Sequence, residues 1–131
     1  MGLKFALLIN ERRIAFFVIG ERNNERQLIG LWEVPENNEI AKRHFAFTVD
    51  LEDLLKAKEW LAYHGIETKG AFGKDSSEPI VHSWSASAAI YFDDPDGNEL
   101  EYHSYLPDEP INLGYVLTLS EWRNLKKSQI P

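Results

Sequence analysis

The segment HFAFTVDLEDLLKAKEWLAYHGIE, residues 44–67, decides the fold because its hydrophobic period changes once, at Asp50. Over residues 44–49, large apolar side chains alternate with small or polar ones, which predicts a β-strand. From Asp50 onwards, apolar residues recur at three- and four-residue spacing, which predicts an amphipathic helix over residues 50–65. Asp50 is placed to cap this helix and Gly65 to end it. A strand therefore leads directly into a helix that packs on a sheet.

Strand-like runs, apolar and rich in β-branched or aromatic residues, precede and follow this segment. The predicted strands are residues 3–9, 13–20, 26–34, 66–72, 87–93, 99–106 and 114–119. Residues 35–43 are interpreted as a linker, residues 73–86 as a long loop, and residues 120–127 as a short helix capped by Ser120. Many short strands with few helices predict the α+β class with a largely antiparallel sheet.

The composition fits one soluble domain and argues against several classes of partner. The chain has 131 residues, a hydrophobic fraction of 44% and a formal charge of −7. Because nucleic acid and anionic membranes attract clustered Lys and Arg, we expect neither as a partner. The absence of cysteine excludes disulfides and thiolate-held metals and fits the reducing cytosol. No apolar run approaches the roughly 20 residues of a membrane span, so we expect a cytoplasmic protein.

Two side chains that can bind metal should face each other. The helix should cover the face of the first strand that carries Phe45 and Phe47, so His44 faces the open side of the sheet. The same alternation in NELEYH, residues 98–103, places Glu99, Glu101 and His103 on one face, and Glu101 points to that open side. An imidazole and a carboxylate across a sheet form a partial metal site, and zinc, iron, nickel and manganese all accept such ligands.

Simpler roles are predicted for several other polar residues. His82 and Trp84 lie in the predicted loop 73–86, which we expect to be mobile and solvated. His64 ends the helix and should complement the negative end of its dipole. DPDGN, residues 94–98, has the chemistry of a turn, and a calcium loop would need more oxygen ligands at alternate positions.

Residues 44–67, followed by AAIYFDDPDGNELEYH (88–103), resemble the vicinal oxygen chelate superfamily. That superfamily includes glyoxalase I, fosfomycin-resistance proteins, bleomycin-resistance proteins and extradiol dioxygenases. The resemblance implies paired β-α-β-β-β modules whose curved sheet forms a cup around a divalent metal. It divides a single domain of residues 1–131 into a truncated module 1 at 1–35, a module 2 at 44–106 and a C-terminal tail at 107–131.

The resemblance also assigns candidate site residues by position. His44 and Glu101 match metal ligands on the first and last strands of the second module. Glu33 falls where glyoxalase I carries a carboxylate ligand, which could instead act as the catalytic base. Tyr91 matches a residue that contacts substrate in some fosfomycin-resistance proteins, and His103 completes their Glu-x-His pattern and would line the substrate site.

The sequence departs from the family at its first module. The family's first metal ligand lies on an opening strand that precedes a helix, whereas residues 1–20 match the strands after that helix. The first strand and helix of module 1, with their ligand, are therefore missing. Three explanations stay open: a misassigned start has shortened the chain, the strand at 114–119 fills the gap, or a second chain fills it because an open edge invites pairing.

The resemblance favours a metal-dependent enzyme like glyoxalase or the fosfomycin-resistance proteins, of lyase, isomerase or transferase type, acting on a small molecule with vicinal oxygens. The alternative is a metal-free binding protein like the bleomycin-resistance proteins, for which an acidic chain and the missing ligand both argue. A third reading is a chain without activity. We expect a homodimer, from the open edge and the apolar first unit, and a metal that is zinc, nickel, manganese or iron.

Overall fold

Three strands near the N-terminus form a sheet of their own in the computed structural model, which describes residues 2–128. They are β1 (Lys4–Ile9), β2 (Ile14–Arg22) and β3 (Glu25–Trp32), paired antiparallel in the order β1-β2-β3. Asn23 and Asn24 join β2 to β3 with φ angles of 53° and 63°, the left-handed conformation that a two-residue hairpin requires. This sheet belongs to a compact unit, Met1–Ile40, separate from a second unit, Ala41–Pro131.

The second unit combines a larger sheet with two helices. Its elements are β4 (His44–Thr48), α1 (Leu51–Tyr63), β5 (Thr68–Lys69), β6 (Ile80–His82), β7 (Ser87–Asp93), β8 (Glu99–Tyr105), β9 (Val116–Thr118) and α2 (Leu119–Ser128). The strand order is β4-β8-β7-β6-β9, and β5 pairs with β7. Only the β4–β8 pair is parallel. The predicted α+β class with a largely antiparallel sheet is confirmed.

Alternation along the central strands separates a packed face from a polar face. Phe92 and Leu100 are paired across β7 and β8 and are 1% and 7% exposed. The helix α1 packs on these two strands and buries Leu54 and Leu61 completely. Side chains alternate between the two faces of a sheet. The direct neighbours of Phe92 on β7 and of Leu100 on β8 therefore point away from α1. The part of the core under α1 lies on one side of the sheet, and a smaller buried cluster of Ile80, Ala89 and Tyr91 lies at the alternate positions.

Several predicted elements differ in extent or place. The predicted loop 73–86 contains β6, so the second module has one more strand than predicted. The strand predicted over 66–72 is limited to β5, because Gly70 lies so close to the backbone of Lys74 that the chain turns there. The strand predicted at 114–119 is β9, which pairs with β6. It therefore extends the second sheet, and the explanation that it fills the gap in the first module is wrong.

The helix caps also differ from the prediction. Asp50 stands at the N-cap of α1, but its side chain makes no capping hydrogen bond. Ser120 does not cap α2, since its hydroxyl and backbone N–H both donate to Glu78. Thr118 does so instead: its Oγ1 accepts from the N–H of Glu121 at 3.2 Å, and its N–H donates to the Glu121 carboxylate at 2.7 Å. This reciprocal pair is a capping box.

Replacing the cap residue Thr118 should destabilise the second unit. We expect Thr118→Ala to lower the free energy of unfolding by about 1 kcal/mol, because the N–H of Glu121 loses its acceptor. Thr118→Ser keeps the oxygen and should stay near the unsubstituted protein. Urea unfolding followed by circular dichroism measures both variants, and a Ser120→Ala variant that loses more stability than Thr118→Ala would contradict the assignment.

Candidate functional site

The polar face of the second sheet carries the candidate ligands side by side. In the parallel pair β4–β8, His44 is paired with Glu99 and Ala46 with Glu101. In the antiparallel pair β7–β8, Tyr91 is paired with Glu101. Paired residues point to the same side of a sheet, so these side chains share the face opposite α1. Ala46 is the small residue beside Glu101 on this face, so the space next to that carboxylate is open to His44.

The imidazole of His44 lies between two carboxylates. Its Nδ1 is 2.9 Å from Oε1 of Glu99, and its Nε2 is 2.9 Å from Oε2 of Glu101. Each ring nitrogen therefore lies within hydrogen-bond distance of one carboxylate. The side chain of Glu101 is 13% exposed, whereas those of His44 and Glu99 are 44% and 39% exposed. A cation that displaces the Nε2 proton would find a nitrogen and an oxygen donor already adjacent.

Glu101 has a second neighbour in Tyr91, whose ring is only 4% exposed. Tyr91 is paired with Glu101 across β7 and β8, and burial together with the negative charge of Glu101 raises the pKa of Tyr91. The hydroxyl oxygen also lies 2.9 Å from Nε2 of His82. Burial lowers the pKa of His82, the nearby charge of Glu101 opposes that effect and His103 reinforces it. A neutral His82 can donate from Nε2 to the Tyr91 oxygen.

Glu99 is held by a lysine from another strand. Nζ of Lys69 on β5 lies 2.7 Å from Oε2 of Glu99 and 2.5 Å from Oδ1 of Asp93. The hydrogen bond from Lys69 is the main reason why the pKa of Glu99 is lowered. The pKa of Lys69 is raised by its bonds to Asp93 and Glu99. Glu99 therefore stays charged beside His44.

The other two predicted site residues have separate partners. His103 lies one alternate position beyond Glu101, and its Nε2 is 2.9 Å from Oγ1 of Thr48. Glu33 follows β3 in the first unit, where its carboxylate forms a two-point ion pair with Arg13. Arg13 and Glu33 are both exposed, and the bond from Nε of Arg13 to Oε2 of Glu33 is 2.9 Å. Glu33 could bind a metal only after Arg13 releases it.

The donor set fits a metal in part. The residues with the right chemistry and an adjacent geometry are His44 and Glu101, a nitrogen and an oxygen ligand that several divalent metals accept. Among residues 2–128, no group of three or more His, Cys, Asp or Glu side chains is arranged so that it could hold a metal ion. This face therefore supplies two ligands, and the remaining positions would be taken by water, substrate or another chain.

Aromatic rings border the donors. Phe72 is 67% exposed and has a φ of 52°, a strained conformation for a bulky residue. Its ring centroid lies 5.2 Å from that of His82 and 6.2 Å from that of Tyr91. Trp84, also 67% exposed, lies 6.3 Å from His82 by the same measure. These rings offer an apolar surface beside Glu101.

Sequence reasoning gave no role on this face to three contributors. His82 was expected in a mobile loop, although the apolar, β-branched run IVH (80–82) was a usable strand signal. Glu99 was placed on this face by its alternation with Glu101, but no role was assigned to it. Lys69 gave no signal, because its strand is only two residues long and its partners lie 24 and 30 positions away.

The chain was compared with known proteins. The family model described as Glyoxalase/Bleomycin resistance protein/Dioxygenase superfamily matches residues 4–102. The metallothiol transferase FosB of Staphylococcus saprophyticus is 24% identical over 110 residues, which are 78% of this chain and 62% of that protein. The FosB of Staphylococcus epidermidis is 28% identical over 104 residues, 75% of this chain and 63% of that protein. The chain thus spans less than two thirds of the length of these relatives.

Solved structures show the same fold. An integron cassette protein from the mobile metagenome of the Halifax Harbour sewage outfall superposes with a TM-score of 0.62 and 25% identity, covering 79% of this chain and 78% of that one. The fosfomycin resistance protein FosX of Listeria monocytogenes, solved with Mn(II) and a sulfate ion, gives a TM-score of 0.50 and 20% identity, covering 80% and 72%. At this identity the second likeness concerns the fold alone.

The half-buried His82 should make stability depend on pH. Its pKa in the folded chain lies below the ordinary value of 6.5, so the unfolded chain binds its proton more tightly. The stabilisation from neutral His82 is therefore present above pH 6.5 and is lost as the pH falls through the lower, folded value. Histidine NMR titration should give a midpoint below 6.5 for His82.

The variant His82→Gln keeps a donor for Tyr91 but does not titrate, so its unfolding free energy should change less than that of the unsubstituted chain between about pH 7.5 and about pH 5. A His82 midpoint at or above 6.5, or equal pH dependence in both proteins, would show that burial does not control this group.

Proposed function

The chain belongs to the Glyoxalase/Bleomycin resistance protein/Dioxygenase superfamily, and we propose that it is a metal-dependent enzyme of the glyoxalase or fosfomycin-resistance type. Its substrate would be a small molecule with two neighbouring oxygen atoms. One observation carries the proposal: Nε2 of His44 and Oε2 of Glu101 lie 2.9 Å apart on the open face of the second sheet. The resemblance seen in residues 44–103 is confirmed by the family match, and the individual activity is our proposal.

The setting of Glu101 supports a ligand role. A carboxylate that is largely removed from water needs a partner, since burying an unpaired charge is expensive. The structure gives Glu101 a hydrogen-bond partner in Nε2 of His44, which is compatible with metal binding, and places Tyr91 beside it on the neighbouring strand. Only the bond between His44 and Glu101 has to open.

A bound divalent metal would act as a Lewis acid that stabilises the oxyanion developing on the substrate. His44 and Glu101 would hold it, and Tyr91 would line the site beside Glu101. Glu33, which the resemblance assigns as a ligand or as the base that moves a proton, stays a prediction, and its carboxylate is paired with Arg13. The exposed rings of Phe72 and Trp84 would exclude water from the apolar part of a substrate. Glutathione adducts and fosfomycin are substrate classes to test first.

A second chain is a candidate source of the missing ligand. The first unit exposes a set of large apolar side chains, namely Phe5, Leu7, Leu8, Leu28, Leu31 and Trp32. In addition, β4 is the edge strand of the second sheet and has no neighbour on its outer side within residues 2–128. Exposed apolar surface and an open edge both favour association. We therefore propose a homodimer, which light scattering on purified protein would test.

Removing either ligand should abolish tight metal binding. We expect His44→Ala and Glu101→Ala to lower the affinity for zinc, nickel or manganese by roughly a hundredfold, since even outer partners of ligands are worth about 10–100-fold. His64→Ala is a matched control, because His64 is an exposed histidine whose Nδ1 donates to the Trp60 carbonyl at the end of α1. Isothermal titration calorimetry measures all three variants. Unchanged affinity in both ligand variants would exclude the assignment.

A metal-free binding protein is the second candidate function. It is favoured by the two-ligand donor set and by the exposed rings of Phe72 and Trp84. Such a protein should bind a cationic or aromatic small molecule equally well with and without a chelator. The metal-dependent enzyme should instead lose substrate binding when the chelator removes its metal.

A further inference from the structure

We propose that Glu99, held in place by Lys69, is a positioning residue that fixes the imidazole of His44 so that Nε2, and not Nδ1, faces Glu101 and a bound cation. The inference rests on the proposed function, because it assigns a role in metal binding. It concerns a residue outside the predicted ligand set. Its basis is a chain of contacts that runs from Asp93 on β7 through Lys69 on β5 and Glu99 on β8 to His44 on β4.

The two ring nitrogens of His44 contact different residues. Nδ1 is 2.9 Å from Glu99 and Nε2 is 2.9 Å from Glu101, so the two carboxylates lie on different sides of one ring. Rotating the ring by half a turn would exchange these nitrogens for carbon atoms and break both bonds. Glu99 therefore selects one of the two ring orientations, and a proton kept on Nδ1 leaves the lone pair on Nε2. That lone pair is what a metal needs.

Glu99 is itself fixed at both oxygens. Oε1 accepts from His44, and Oε2 is 2.7 Å from Nζ of Lys69. Lys69 is fixed in turn by Asp93, whose Oδ1 is 2.5 Å away, and Asp93 is paired with Glu99 across β7 and β8. A carboxylate bound on both oxygens has little freedom to turn towards the cation. Glu99 thus acts on His44 and not as a third ligand.

The positive charge of Lys69 has a second effect. Without it, Glu99 and Asp93 would repel each other on neighbouring strands, and Glu99 would compete with Glu101 for His44. Lys69 lies between them and pairs with both, so its one positive charge offsets part of their two negative charges. Carboxylates that accept from the far nitrogen of a ligating histidine raise its basicity and restrict its rotation. The chain Asp93–Lys69–Glu99–His44 has this arrangement.

The variant Glu99→Ala tests the proposal. We expect the zinc affinity to fall by roughly 10–100-fold, because His44 then has to be ordered by the metal itself. Glu99→Gln should lose less, since its amide oxygen still accepts from Nδ1 but cannot pair with the charge of Lys69. Glu52→Ala is the matched control: Glu52 pairs with Lys56 on α1, so the variant removes the same charge from another surface.

Lys69→Met sharpens the test as a double-mutant cycle. It should weaken zinc binding in the unsubstituted chain and have little further effect in Glu99→Ala, because Lys69 acts through Glu99. Nitrogen-detected NMR of the histidine rings gives a readout apart from affinity. In the zinc-loaded protein, Nδ1 of His44 should carry a slowly exchanging hydrogen that disappears or exchanges faster in Glu99→Ala.

The outcomes separate this inference from the proposed function. If zinc binding depends on His44 and Glu101 but Glu99→Ala binds as tightly as Glu52→Ala, Glu99 has no positioning role and the proposed function stands. Zinc held through Nδ1 of His44 would also overturn the inference alone. If the unsubstituted chain binds no zinc, nickel or manganese, both fall together. A circular dichroism spectrum identical to that of the unsubstituted protein shows that the variants are folded.

Discussion

The parallel pairing of β4 with β8 is the constraint on which the site depends. It sets His44 opposite Glu99 and places Ala46, a residue with almost no side chain, opposite Glu101. The imidazole therefore reaches diagonally over Ala46 to Glu101 while it keeps Glu99 beside its other nitrogen. A slip of one residue would turn every side chain of one strand to the other face. The burial of Phe92 and Leu100 under α1 prevents that slip.

The polar face and its ligand pair could be predicted from sequence because both follow from local period. Alternation in residues 44–49 and 98–103 sets His44 and Glu101 on one face, and the α1 pattern shows which face is covered. The family resemblance added Tyr91, His103 and Glu33, whose site roles stay predictions. The same alternation had placed Glu99 there, although it was given no role.

The sequence could not predict side-chain contacts between residues that are far apart along the chain. Lys69 reaches Glu99 because a two-residue strand pairs with β7, and no period exists over two residues. Arg13 contacts Glu33 across the β2–β3 hairpin, so the predicted metal ligand Glu33 forms an ion pair instead. The cap of α2 moved from Ser120 to Thr118 because Glu78, from a distant segment, accepts both donors of Ser120. In each case a long-range contact overrides the local preference.

The second unit brings together the two proposed metal donors, His44 and Glu101, with Glu99 bonded to His44 and with Tyr91 paired beside Glu101. Hydrogen bonds that orient ligand side chains increase the affinity for a metal ion. The polar contacts of this face are therefore part of the proposed metal-binding function. No helix within residues 2–128 is long and apolar enough to cross a membrane.

The most direct measurement is an anomalous-diffraction crystal structure of the full chain loaded with zinc. We expect one anomalous peak about 2.0–2.2 Å from both Nε2 of His44 and a carboxylate oxygen of Glu101, the distances normal for zinc with nitrogen and oxygen ligands. A peak at any other place, or a fully ordered His44–Glu101 hydrogen bond in the presence of saturating zinc, would contradict the assignment of this pair as a metal site.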